Sequence, residues 1–255
     1  MRKILLPVLI FCSCFLVSCL ETTQEVTINA DGSGTITNTT DMSPAMGMLK
    51  TMGSGAEAEE LAKLNIDSSF NMKQGADSIA GLTEEEKKMM IAGTFNIKAN
   101  AKEEIFIMHI SFPFQSLSQV DAYNKLSNKV ISGVMKEMPG IGDGDDETLN
   151  TDPPAKEGSI DDYYTTEYKN GEITRKLKKE KYAVVGSDES IKSLKEGAEM
   201  GVAMKANYVF NLPRPAKTVE GKNAKLSADK KKVTISANME DFFEDGEAFE
   251  FRIKY

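Results

Sequence analysis

The residues best able to do chemistry are few and unevenly placed. All three cysteines, Cys12, Cys14 and Cys19, fall in the stretch CSCFLVSC, and the one histidine, His109, stands in IFIMHISF. Clustered thiols can ligate zinc, and a thiolate is a nucleophile. Cys12 and Cys14, however, lie inside an apolar run that offers a metal ion no polar support. A single histidine rules out His-rich zinc sites and restricts general-base catalysis to one position. A Ser-His-Asp triad on His109 also needs a placed nucleophile, and no Gly-x-Ser-x-Gly elbow occurs to supply it. On an alternating strand His109 shares a face with Ile105, Ile107 and Ser111, the setting of a structural, partly buried histidine. Glu103 and Glu104 are adjacent, so on a strand they point to opposite faces and make a poor acid/base couple.

Three other groupings invite chemistry. The acidic stretch Asp143-Gly-Asp-Asp-Glu147 looks cation-binding. Counted from Asp143, however, Thr148 stands where the calcium loop needs Gly and Pro154 where it needs Glu. A solvated loop is the simpler meaning. Met42, Met46, Met48 and Met52 could present thioethers to Cu(I). Their i,i+4 pairs lie on two faces of one helix and fit adaptable packing, or an apolar contact surface for a lipid or partner. The basic run Arg175 to Lys181 is most simply the solvent face of a hairpin, with contact to anionic headgroups a weaker reading. No cofactor motif is present, and no cofactor is expected.

The first 18 residues change the meaning of the cysteines. Met-Arg-Lys precedes the apolar run from Ile4 to Val17, the layout of a secretory leader. That run is shorter than the ~20 apolar residues needed to cross a bilayer. It ends Leu16-Val17-Ser18-Cys19, which resembles the lipobox of bacterial lipoprotein precursors. The resemblance implies a diacylglyceryl group on the Cys19 thiol, cleavage after Ser18 and acylation of the new amino group. Two or three chains at about 0.8 kcal/mol per buried methylene anchor a protein stably where one chain is marginal. Residues 1–18 are then a cleaved signal peptide, and Cys12 and Cys14 leave with it. The segment 19–255 keeps no free thiol, and it is long enough to build its own core without disulfides.

Loss of Arg2 and Lys3 with the leader takes the net charge from −8 to −10. A nucleic-acid binder carries a basic surplus, so no nucleic-acid partner is expected. An acidic body also leaves membrane attachment to the acyl anchor. A composition with 40% hydrophobic and 27% charged residues is that of a globular chain. With no Trp, an aromatic carbohydrate platform is improbable.

These features rest on elements that the patterning predicts. Asp31-Gly32 joins two β-rich runs in a hairpin over 24–40. Ser43 and Pro44 open a helix, and a second helix is expected from Ala56 to Leu64. A short strand follows in SSFNMKQ, and Thr83-Glu-Glu-Glu86 has capping-box spacing. A hairpin over 93–114 leads into a helix from about Ser118 to Glu137. Its apolar face is Val120, Tyr123, Leu126, Val130, Val134 and Met138. Residues 139–160, rich in Gly, Pro and acid, form a flexible acidic loop. Asn170-Gly171 centres a third hairpin, and Ser187 and Asp188 cap a helix through about Met204. The tail reads as three or four strands, with Pro213 and Pro215 placing the first at a sheet edge or ending it. Hairpins separated by single helices indicate one α+β domain over 19–255, with a mainly antiparallel sheet and packed amphipathic helices.

VTINADGSGTIT shortly after Cys19 and the tail segment Tyr208 to Ile235 are similar to LppM-like bacterial lipoproteins of uncharacterised function. That resemblance implies a membrane-anchored α+β domain and carries no active site across. The combined expectation is a non-enzymatic lipoprotein of the cell envelope that binds a lipid-like ligand or an envelope protein. The alternative is an exported hydrolase using His109. Leu20 stands where Asp marks inner-membrane retention in some bacteria, so a two-membrane cell would hold the protein on its outer membrane, facing the periplasm.

Overall fold

A computed structural model describes residues 18–44, 46, 63–73, 79, 82–137, 159–199 and 202–255. Strand β1 (Ser18–Ile28) turns at residues 29–33 into β2 (Gly34–Asp41). The turn closes through Asn29 and Ser33, with Gly32 at φ 86° and the Asp31 carboxylate accepting from the Ser33 amide and hydroxyl. Gly34 has no alternative, because a Cβ there would lie 1.9 Å from the Thr27 carbonyl oxygen and 2.5 Å from the Phe114 ring. Strand β3 (Asn65–Asn71) is followed by helix α1 (Glu84–Met90), which starts in the expected capping box between Thr83 and Glu86. Strands β4 (Thr94–Asn100) and β5 (Ile105–Phe114) form the second hairpin. A 3-10 turn capped by Ser116 and Gln119 then opens α2 (Val120–Glu137).

The third hairpin, β6 (Tyr164–Lys169) and β7 (Glu172–Leu177), turns on Gly171 at φ 83°. A short α3 (Lys179–Tyr182) and α4 (Glu189–Glu199) precede β8 (Val202–Asn211). The chain ends with β9 (Thr218–Glu220), β10 (Ala224–Leu226), β11 (Lys232–Asn238), α5 (Met239–Glu244) and β12 (Phe251–Lys254).

Two sheets result. The larger has the order β10-β11-β8-β1-β2-β5-β4-β3, antiparallel except for the parallel pair β1–β8; the smaller is β6-β7-β12-β9, wholly antiparallel. The α+β expectation is thus met. One face of the large sheet is apolar and covered, and the other is polar, as period-2 alternation requires. Helix α2 covers β2 and β5, burying Val120, Tyr123, Leu126 and Val130, with Tyr123 stacked on Phe112 at 5.0 Å. Each such side chain contributes about 1.5–3 kcal/mol. The small sheet and α5 cover β8 and its neighbours, where Phe210 meets Phe251 at 5.3 Å and Tyr208 meets Phe249 at 6.1 Å. A single buried apolar cluster runs through both halves.

Several expectations are corrected or fall outside the described residues. The helix expected through Met204 ends at Glu199, and Val202 and Met204 belong to β8. Pairing with β1 and β11 on either side extends the strand through them. Strand β8 is central, so Pro213 and Pro215 mark its end rather than a sheet edge. The tail holds more strands than expected, and α5 interrupts them. The helix beginning at Ser43 is described only at residues 43, 44 and 46. Most of the helix expected from Ala56, and residues 138–158 of the acidic loop, lie outside the described residues, as do Met48 and Met52.

Candidate functional site

Position 19 lies at one end of the large sheet. Ser18 and Cys19 pair with Val202 and Ala203 in the parallel ladder with β8, and Glu21 faces Asp41 of β2. The segment QEVTI is held by alternation, with Gln24, Val26 and Ile28 buried on the covered face. The candidate acylation position is therefore the second residue of the strand that links the two halves of the sheet.

The covered face carries a second, polar constellation. One row across the sheet reads Ile235, Tyr208, Gln24, Asn38, Ile110, Phe95 and Phe70 in β11, β8, β1, β2, β5, β4 and β3. Its middle members, Tyr208, Gln24 and Asn38, are all buried and polar or amphipathic. Opposite them stands Arg175 of β7, only 4% exposed. Its Nη2 donates to Asp161 Oδ1 at 2.8 Å and its Nη1 to Thr166 Oγ1 at 3.0 Å. The guanidinium lies between the rings of Tyr164 and Tyr208, 4.1 and 4.7 Å from their centroids. Tyr208 donates its hydroxyl to Asp161 Oδ1 at 2.8 Å, and Asn124 of α2 donates to Oδ2 at 3.0 Å. Tyr168 donates to Gln24 Oε1 at 3.2 Å. Asp161 thus ties the small sheet, the large sheet and α2 together.

Electrostatics follow from this packing. Burial pulls the Asp161 carboxyl upward, but the charge of Arg175 and the hydrogen bonds from Tyr208, Asn124 and Arg175 outweigh it and hold it below the ordinary carboxylate value. Burial raises the Tyr208 and Tyr168 hydroxyls, which stay protonated as donors. Asn38 Nδ2 and Arg175 Nε are buried without an acceptor among the described residues. The cluster is charged and hydrogen-bonded across the layers, and its geometry is that of a clamp between them. The expectation that Arg175 lies on a solvent face is wrong. It occupies the same side of β7 as Ile173 and Leu177, so the period-2 pattern of EITRKL carried the signal.

His109 lies on the opposite, polar face, in a row with Thr23, Thr39 and Asn96. Its Nδ1 is 2.8 Å from Thr39 Oγ1, its one side-chain hydrogen-bond partner among the described residues. Thr37 and Ser111 pair beside it at 2.6 Å. Glu103 and Glu104 are not on a strand. They sit exposed in the turn of residues 101–104, with Glu104 at φ 56°. His109 and these carboxylates are not brought together.

A shallow concavity of about 260 Å³ on the outer face of the small sheet is lined by Glu167, Lys169, Glu172 and Arg252 among others. Four of its charges form two ion pairs, Lys169 with Glu167 and Arg252 with Glu172, each at 2.6 Å, and Lys176 also lines it. Among the described residues no group of three or more His, Cys, Asp and Glu could hold a metal ion, and no helix is long and apolar enough to cross a membrane.

No family model matches the chain, and no curated protein matches it. Among solved structures it is similar to the NMR structure of the folded domain of LppM from Mycobacterium tuberculosis. The match has 6% identity and a TM-score of 0.34, over 92% of this chain and 90% of that one.

Proposed function

We propose that this chain is an exported bacterial lipoprotein, acylated at Cys19 after removal of residues 1–18. In this reading its domain, residues 19–255, is a non-enzymatic module of the cell envelope that binds a lipid-like ligand or an envelope protein. The observation that carries the reading is Leu16-Val17-Ser18-Cys19 at the end of a short, basic-then-apolar leader. An Arg175–Asp161 pair committed to holding the layers together and a histidine partnered by Thr39 support a binding or structural role over hydrolysis. Leu20 favours the outer membrane, facing the periplasm, in a cell with two membranes.

Metabolic labelling with a palmitate analogue tests the reading. Label is expected on the wild type and absent from Cys19→Ala, with the wild type in the membrane fraction. A wild type that takes no label and fractionates with soluble exported proteins overturns it.

A further inference from the structure

We infer that the anchor has no tether: the acylated residue is itself part of the sheet, so the bilayer surface lies directly against the end of the large sheet at which β1 begins. This rests on the lipoprotein reading of Cys19 and adds the orientation of the domain and the surface that meets lipid.

The register carries the inference. Cys19 is paired with Ala203, and two residues later Glu21 is flanked by Lys205 on one side and Asp41 on the other. At ~3.3 Å per residue, the row through Glu21 stands only about 7 Å along the strand from the acylated residue. The headgroup zone of one leaflet is itself roughly 5–7 Å deep. Acyl chains seated in the hydrocarbon therefore bring that row to the headgroup boundary. In the neighbouring strands Asp41, the last residue of β2, faces Ile107, Ile107 faces Lys98, and Lys98 faces Asp67, and β5, β4 and β3 run two residues further, to the level of Cys19. The β4–β5 turn reaches further in the same direction, past the pair Asn100 and Ile105. The β10–β11 turn lies at the other end, because Lys232 pairs with Asn211, the last residue of β8.

Charge does not create this orientation. From β8 to β3 the row reads Lys205, Glu21, Asp41, Ile107, Lys98 and Asp67, two bases against three acids, which leaves no basic excess for anionic lipid. Orientation follows from the covalent geometry of the anchor, so it holds on zwitterionic bilayers.

The acylated chain has no free thiol, so single cysteines can be labelled cleanly. Lys102→Cys, in the β4–β5 turn, and Lys231→Cys, beside the β10–β11 turn, each take an environment-sensitive fluorophore after purification with the anchor intact. Both proteins are reconstituted in phosphatidylcholine vesicles containing a headgroup nitroxide lipid. Quenching at position 102 is expected to exceed that at 231 by roughly threefold or more, since the strands separate the two ends by about 30 Å. A ten-residue Gly-Ser insertion after Leu20 should bring the two values close together. Equal quenching in proteins whose mass shows the acyl chains overturns the inference and leaves the anchor standing. An unacylated mass overturns both.

Discussion

Replacing Arg175 with Ala perturbs the interlayer clamp most severely. The substitution leaves the Asp161 carboxylate, with 29% of its side chain exposed, facing Tyr208 and Asn124 but without its cation. Breaking a buried pair by removing one partner costs about 3–5 kcal/mol, and the partial exposure of Asp161 favours the lower end. Contacts with the Tyr164 and Tyr208 rings are lost as well, at about 0.5–1 kcal/mol or more each. A loss of about 4–5 kcal/mol is the expected total, which for a chain of this size lowers the thermal midpoint by roughly 8–20 °C. Urea unfolding followed by far-ultraviolet circular dichroism measures it, with Arg175→Met/Asp161→Asn as the companion variant. The double variant has no orphaned charge and should recover a large part of the loss. A loss for Arg175→Ala below ~1 kcal/mol, within the range of ordinary surface substitutions and their neighbours, would refute the clamp reasoning.

Other outcomes follow from the same structure. Because the folded Asp161 carboxyl lies below its ordinary value, its stabilisation is present above the unfolded value of about 3.9 and lost as pH falls through the lower folded value. The stability gap between wild type and Asp161→Asn should therefore be full at neutral pH and shrink below about pH 4 in denaturant titrations. Gly34→Ala forces a Cβ against the Thr27 carbonyl and the Phe114 ring and should cost about 3 kcal/mol, whereas Gly186→Ala, with open space around it, should be near neutral in the same assay. His109→Ala removes one hydrogen bond to Thr39, so a loss of about 1 kcal/mol in urea unfolding is expected, with acylation and membrane fractionation unchanged.

Local signals made much of this fold readable. Asp31-Gly32 and Asn170-Gly171 mark turns that need positive φ, and both glycines adopt it. The steps from Val120 to Val130 define a helix face because that side of α2 packs on β2 and β5. The Thr83–Glu86 capping box depends on four consecutive residues and needs nothing from the rest of the chain. What could not be read is long-range. The parallel pairing of β1 with β8 joins residues some 180 positions apart, and no local pattern encodes a partner at that distance. The same pairing draws Val202 and Met204 out of a helical period and into a strand. For Arg175 the basic run implies solvent while the alternation of EITRKL implies the covered face, and only the tertiary fold supplies Asp161 and two aromatic rings to hold its charge inside. Glu103 and Glu104 stand in a turn because β4 ends at Asn100 and β5 begins at Ile105. The lipobox-like Leu16-Val17-Ser18-Cys19 stands apart, since the resemblance rests on four consecutive residues and owes nothing to the fold.

Acylation at Cys19 is tested most directly by the intact mass of the membrane-extracted protein. The wild type is expected at the mass of residues 19–255 plus acyl chains, and a Cys19→Ala variant is expected to carry none. An unacylated wild type cut at another position would contradict it.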